Sequence, residues 1–376
     1  MSEVRVNNLS NENNTGGPTI SGITTFSGSN FLVPPVGDTA SRSDNCPPGS
    51  LRFNTDTAHL EYFRGNKIGW VEIEAELTEP LGGGTGSNLG VGNRGIFYAG
   101  QTPSEVDTID FITISTLGNA QDFGNATDTR DEVNCCASRV RGVGGGGYDG
   151  GTDDKIDFVT FASTGNATDF GNLSVGRYSA AGMGDDVRGI FSGGHNGSSY
   201  QDVIDYITIA TLGDAVDFGN LSAANYQPAA CSSTTRGIIG GGATPSSAIN
   251  TVEFVTIRTT GNATNFGDLT YGARGLSSTS NSTRGLFAAG VPGLNRIDFI
   301  TIASTGDAQD FGDLTYTTQE GAMCASATRG VFGGGNPNVN TINFVEILTT
   351  GNALDFGDLT QARKRLGGCS NGHGGL

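Results

Sequence analysis

Six copies of one pattern run through the 376-residue chain from Arg94 to its end, recurring every 45 to 48 residues. Each carries an Arg-Gly, an apolar run closing in Gly, and an acidic-aromatic run such as Ile109-Asp110-Phe111-Ile112-Thr113-Ile114. A Thr-Gly-Asn-Ala turn or a close relative follows, then Asp-Phe-Gly or a near variant. Arg-Gly falls at Arg94, Arg141, Arg188, Arg236, Arg284 and Arg329, and the later aromatic at Phe123, Phe170, Phe218, Phe266, Phe311 and Phe356. A repeat of this length built from strand-like pieces implies one four-stranded blade per copy. The fold class expected is therefore all-β, a six-bladed β-propeller over residues 94–376.

One copy divides into strands by alternation and turn signals. Leu276-Ser277-Ser278-Thr279-Ser280 is small enough for the crowded centre of a ring, and Arg284 to Gly290 forms the second strand. In Arg296-Ile297-Asp298-Phe299-Ile300-Thr301-Ile302 both alternating faces carry apolar groups, as a blade buried between two neighbours requires. The fourth strand is Gln309-Asp310-Phe311-Gly312. If the small-residue strand is innermost and precedes each Arg-Gly, the blade starting at Arg94 lacks its own. Leu366-Gly367-Gly368-Cys369-Ser370-Asn371 has the right phase to supply it, and Gly82 to Asn88 is the alternative. Closing the ring removes exposed edges that invite aggregation.

The loops sort onto two faces. Turns between strands one and two, and between three and four, barely vary and share one face. Connections between strands two and three differ in length and content, and the connections after Asp-Phe-Gly lie with them. This variable face gathers Tyr148, Tyr178, His195, Tyr200, Tyr226, Tyr271 and Tyr316, the candidate receptor-binding residues. Loops on a rigid scaffold are where binding resides, and Tyr offers contact area with a polar tip at small entropic cost.

The N-terminal region reads as separate parts. Residues 1–48 are rich in Asn, Ser, Gly, Thr and Pro and form an extended segment. Residues 49–78 hold a small three-stranded β-meander, Ser50 to Asn54, His59 to Phe63 and Gly69 to Ile73, and 79–93 are a Gly-rich linker. A meander this small is marginal unless paired with other copies. Phe31, Leu51, Phe53, Leu60, Tyr62, Phe63 and Trp70 are accordingly the oligomerisation and attachment candidates.

Charge and composition exclude several classes. Gly at 61 residues sits at fixed repeat positions, marking turns and not disorder. With 38 acidic against 21 basic residues the net charge is -17, and Arg363-Lys364-Arg365 is the one basic run, so no nucleic-acid partner is expected. No apolar run approaches membrane-spanning length, so no membrane insertion is expected, and the N-terminus lacks the apolar core of a signal peptide. Cys136, Cys231, Cys324 and Cys369 occupy one phase of successive copies, spread around a ring. They read as small buried apolar residues, replaced elsewhere by Met183 or Thr279, and not as a disulfide framework. His59, His195 and His373 are too dispersed for a metal centre, so no metal and no cofactor are expected.

Glycines after an apolar strand (Gly193-Gly194, Gly240-Gly241-Gly242, Gly333-Gly334-Gly335), then an acidic-aromatic strand, a polar turn and a large aromatic, resemble the kelch repeat of β-propellers. The likeness covers about three quarters of the chain. It departs from the kelch pattern in having Phe, at Phe123 and its five equivalents, where Trp is usual.

A second resemblance lies near the N-terminus. Pro48-Gly49-Ser50-Leu51-Arg52-Phe53-Asn54-Thr55-Asp56-Thr57, then Leu60-Glu61-Tyr62-Phe63, a turn and Trp70, preceded by Phe31-Leu32-Val33-Pro34-Pro35, is similar to a segment of virion structural and tail-fibre proteins of tailed bacteriophages, particularly those infecting marine cyanobacteria. The resemblance implies a virion protein attached through its N-terminal part to other virion proteins, commonly as a homo-trimer. Its C-terminal domain would face a host surface glycan or outer-membrane component. A purely structural virion component and a cellular kelch-like protein-interaction adaptor are the alternatives. No catalytic constellation is legible, so the chain is not expected to be an enzyme.

Overall fold

The computed structural model describes residues 34–43, 46–57, 59–72 and 94–376. The chain divides into two units, Met1–Leu77 and Thr78–Leu376. The described residues are all-β, arranged in seven four-stranded sheets compatible with a propeller-like fold.

Six of these sheets belong to the repeats and are antiparallel throughout. The second shows the plan: Asn134–Ala137, Arg141–Tyr148, Thr152–Thr160 and Thr168–Asn172, hydrogen-bonded in chain order. The first sheet takes its first strand from the other end of the chain. Gly367–Ser370 pairs with Arg94–Gln101 in the register Gly367↔Tyr98 to Ser370↔Gly95. The C-terminal segment thus holds the position for which two segments competed, and Gly82 to Asn88 lies outside the described residues. First strands of successive sheets adjoin, and Gly367–Ser370 borders both its predecessor, Ala322–Ala325, and Asn134–Ala137 of the second sheet.

The repeated motifs hold sheet to sheet. In each polar turn the Gly N–H donates to the carbonyl of the preceding sheet's late Phe, and the Ala N–H donates two residues further on. Gly261 to Phe218 at 2.8 Å and Ala263 to Asn220 at 2.9 Å are one such pair. The intervening Asn or Asp side chain accepts from that same strand, as Asn262 Oδ1 does from the Asn220 N–H at 3.0 Å. The pattern continues from the last copy to the first: Gly118 donates to the Phe356 carbonyl at 2.9 Å, and Asn119 Oδ1 accepts from Asp358 at 3.1 Å. Gly219 shows why glycine ends the Asp-Phe-Gly motif. Its φ is +149°, and a Cβ there would lie 2.5 Å from the Gly261 carbonyl oxygen of the clasping turn.

The Arg of each Arg-Gly does not meet a carboxylate of the repeat frame as its principal partner. Its guanidinium lies over the aromatic ring of the third strand, 4.4 to 4.9 Å from the centroid in all six copies. It also donates to a carbonyl just past the third strand of the next sheet, from Arg94 to Phe161 at 2.5 Å through to Arg329 and Ile114 at 3.3 Å. The same third-strand ring meets the late Phe edge-on, with centroids 5.9 to 6.2 Å apart. Such edge-to-face pairs contribute roughly 0.5–1.5 kcal/mol each beyond area burial.

Both faces of the third strand are buried, as the alternation requires, yet one of its positions is polar: Asp110, Asp157, Asp205, Glu253, Asp298 and Asn343. Each accepts from a Thr or Ser that lies in or just past the fourth strand of the preceding sheet, for example Thr360 Oγ1 to Asp110 Oδ1 at 2.6 Å. Three of them also face a fully buried arginine: Arg363 with Asp110, Arg130 with Asp157, and Arg177 with Asp205. The equivalent positions elsewhere are Asn225, Ala273 and Thr318. Arg363, read from sequence as part of a basic run, is thus an internal ion-pair partner.

The phase shared by Cys136, Cys231, Cys324 and Cys369 with Met183 and Thr279 is buried in every copy, and these cysteines are free. Burial pushes the Cys231 thiol up to about 12.

The sheet of the first unit differs from the three-stranded expectation. Leu51–Asn54, His59–Phe63 and Trp70–Glu72 form the meander, but Val36–Gly37 adds a fourth, parallel strand along Leu51–Asn54. Part of the segment read as extended attachment sequence therefore completes this sheet. The edge backbone demands it: Phe53 N–H donates to Pro35 at 2.8 Å and Thr55 N–H to Gly37 at 3.0 Å. Fully buried Glu61 takes Arg42 at 2.6 Å and Arg52 at 3.4 Å. Phe63 is buried, Phe53, Leu60, Tyr62 and Trp70 are half-buried, and Leu51 is exposed. Phe31 and the 79–93 linker lie outside the described residues.

Candidate functional site

Two features interrupt the uniformity of the repeat unit, and they adjoin. The first is a ring of six residues, one from each connection leaving a fourth strand: Glu132, Ser179, Gln227, Gly275, Glu320 and Arg365. All six have φ between +54° and +62°. This left-handed turn lets each N–H reach the carbonyl of its predecessor in the ring. The six bonds, 2.6 to 3.2 Å long, run from Ser179 to Glu132, Gln227 to Ser179, Gly275 to Gln227, Glu320 to Gly275, Arg365 to Glu320 and Glu132 back to Arg365. The sequence hides this ring, because its members share a backbone conformation and no side-chain type. The signal available is their common spacing before each small-residue strand.

The ring lines a pocket of about 80 Å3. Arg365 lies 3.2 Å from Glu132, 3.2 Å from Glu320 and 3.4 Å from Asp131. Gln227 Nε2 donates to Glu320 Oε1 at 3.3 Å, and the Ser179 hydroxyl donates to Glu132. Burial pushes the Glu132 carboxyl up to about 7 and that of Asp131 up to about 6, against the pull of Arg365 in both. Arg365 is correspondingly held above the ordinary guanidinium range by Glu132, Glu320 and Asp131, which outweigh its own burial.

The second feature is a cluster of five aromatic side chains. Tyr148 ends a second strand, and His195 and Tyr200 lie within the connection between strands two and three of the next sheet. Tyr178 and Tyr226 immediately precede the ring residues Ser179 and Gln227. Backbone bridges Tyr178↔His195 and His195↔Tyr200 bring the variable connections together. The 195–200 loop is set by Asn196 Oδ1, which accepts from Ser198 and Ser199, and by His195 Nδ1, which accepts from Gly197 at 2.9 Å. Tyr178 contacts Tyr148 at 5.4 Å and His195 at 5.2 Å between centroids, and Tyr200 stacks on Tyr226 at 5.0 Å and 16°. All five are half-buried, leaving ring surface in solvent.

The remaining two sequence candidates lie elsewhere and do other work. Tyr271 donates its hydroxyl to the Ala289 carbonyl at 3.1 Å, and Tyr316 donates to Gly334 at 3.0 Å. Each packs against the core shared by its own sheet and the next. Burial raises both hydroxyls well above the ordinary tyrosine value. In the cluster, burial and then the Glu132 charge raise Tyr178 and push Tyr226 up to about 12, which ties the aromatic wall electrostatically to the ring.

Among the described residues no three His, Cys, Asp or Glu side chains are grouped to hold a metal ion, and no helix is long and apolar enough to cross a membrane. No family model matches the chain, and no curated protein matches it.

Proposed function

We propose that the chain is a virion structural protein, a fibre or appendage subunit whose six repeat sheets form a six-bladed kelch-like propeller that binds a host-surface receptor. The observation that carries this reading is the aromatic cluster. On a domain where almost every sheet-to-sheet contact repeats six times, five aromatic side chains collect on non-repeating connections at one sector of one face. Building the ring needs no such cluster, whereas stacking on a saccharide or gripping an outer-membrane component does. The cyclic adjacency of the six first strands supports the blade count.

The N-terminal unit would attach the chain to other virion proteins and join three copies. Val36, Leu51 and Ile68 are exposed on a sheet too small to bury much of its own apolar surface, which favours association. Three linked propellers would add weak contacts through effective concentration.

The test is adhesion of fluorescently labelled protein to host cells. Replacing Tyr178, Tyr200 and Tyr226 together by Ala should abolish adhesion while the far-UV spectrum is kept. Undiminished adhesion of that variant sinks the choice of site. Presence of the protein in purified particles without any adhesion would leave the purely structural virion role. A monomer by mass photometry overturns the trimer.

A further inference from the structure

We infer that the ring pocket and the tyrosine wall beside it form a site for an ammonium group carried by a surface saccharide, which specifies the receptor and rests on the binding role proposed above. Three carboxylates, Asp131, Glu132 and Glu320, share a single guanidinium, Arg365, at 3.2 to 3.4 Å. Glu132, Glu320 and Arg365 themselves line the opening of about 80 Å3, with Ser179 and Gln227 between them. The hydrogen bonds show the same shortage of donors as the charges. Asp131 is fully buried beside Arg365, and its Oδ1 has no hydrogen-bond partner. A buried carboxylate oxygen without a donor is costly, so its retention needs a reason. Burial, which disfavours the charged carboxylate, holds Glu132 near 7 and Asp131 near 6 against the pull of Arg365.

The neighbouring rings suit the same occupant. Tyr178 and Tyr226 feel the Glu132 charge, and the Arg274 guanidinium already lies 6.0 Å from the Tyr226 centroid, so that ring stands where a cation is accommodated. A bare metal ion fits less well, since the described residues offer no grouped ligand set. An ammonium brings three donors for the carboxylate oxygens, and the saccharide ring that carries it supplies an apolar face for the tyrosines.

The experiment is calorimetric titration of the full chain at pH 7 with a β-1,4-linked glucosamine pentasaccharide and with its fully N-acetylated counterpart. The glucosamine oligomer should bind, the acetylated one about tenfold or more weakly, and Glu320→Gln and Glu132→Gln should each cost about tenfold with thermal stability kept. Equal binding of the two oligomers, or full binding by both carboxamide variants, overturns ammonium recognition and leaves saccharide binding standing. Failure of both oligomers with adhesion to host cells intact overturns this inference alone. Failure of both together with loss of adhesion removes the receptor-binding reading as well.

Discussion

Arg363 Nη2 donates to Asp110 Oδ2 at 2.7 Å, joining fully buried side chains 253 residues apart, one from the last repeat and one from the first. The same guanidinium donates to the Ala99 and Thr108 carbonyls at 2.8 and 2.6 Å. The pair therefore locks the fourth strand of the last repeat, Leu354–Arg363, to the neighbouring sheet that contains both ends of the repeat region.

Removing one partner should be far worse than exchanging both. Asp110→Ala leaves a buried guanidinium without its carboxylate and should cost about 3–5 kcal/mol. The fifth and sixth sheets already use a neutral pair at these positions, Thr318 and Asn343. The double variant Arg363→Thr with Asp110→Asn should recover most of the loss, as read by denaturant midpoints.

Asp298 tests the opposite case. It is fully buried, and Ala273 stands where Arg130, Arg177 or Arg363 serves the equivalent aspartates. Burial raises its carboxyl above the ordinary value, against the hydrogen bonds from Thr270. A carboxyl whose folded value is raised binds its proton more readily in the folded state, so stability falls as pH rises from the unfolded value through the folded one. Asp298→Asn should raise the melting temperature at pH 8 and leave it unchanged at pH 3. A variant less stable at pH 8 would contradict the account.

Glu132 should titrate close to neutrality. Carboxyl 13C spectra of Glu-labelled protein should show one resonance with a midpoint about 7, absent in Glu132→Gln, because burial outweighs the pull of Arg365. The sign is as for Asp298: its protonated form is favoured by folding, and this contribution is lost as pH rises through 7.

Two glycines with nearly the same backbone separate strain from collision. Gly261 has φ +156° and nothing within 4 Å of where a Cβ would stand, whereas Gly219 at φ +149° would drive its Cβ to 2.5 Å from the Gly261 carbonyl oxygen. Gly261→Ala should cost about 1–3 kcal/mol from backbone strain alone. Gly219→Ala should cost more, because a backbone carbonyl cannot swing aside, and thermal melts of the two variants compare them directly.

Tyrosine hydroxyls should divide the same way. Tyr271→Phe and Tyr316→Phe each strand a carbonyl that a hydroxyl now serves, and should lose about 1 kcal/mol. Tyr148→Phe and Tyr200→Phe should leave thermal stability unchanged, since no hydrogen bond engages their hydroxyls within the described residues.

Much of the architecture was legible because it repeats. The small-residue strands, the buried two-sided third strand around Asp298 and the phase shared by the cysteines all follow from period and alternation. The function of the repeated Arg was not legible. Arg94 and its equivalents sit over aromatic rings and clasp a carbonyl of the next sheet, a partner that carries no side-chain signature. Of the seven aromatic candidates, sequence could group them only by the type of connection. It could not separate Tyr178 and Tyr226, which face the cluster, from Tyr271 and Tyr316, whose hydroxyls turn inward.

The sequence by itself determined which positions must be small, apolar or glycine, because a unit stacked on copies of itself meets the same steric demand at the same place every 45 to 48 residues. Only the tertiary structure decided what those units bring together. Glu132 and Arg365 come from connections more than two hundred residues apart, and they meet because the carbonyl of one ring residue is the acceptor for the next. Such a ring is written in backbone conformation, which six residues of five different types share.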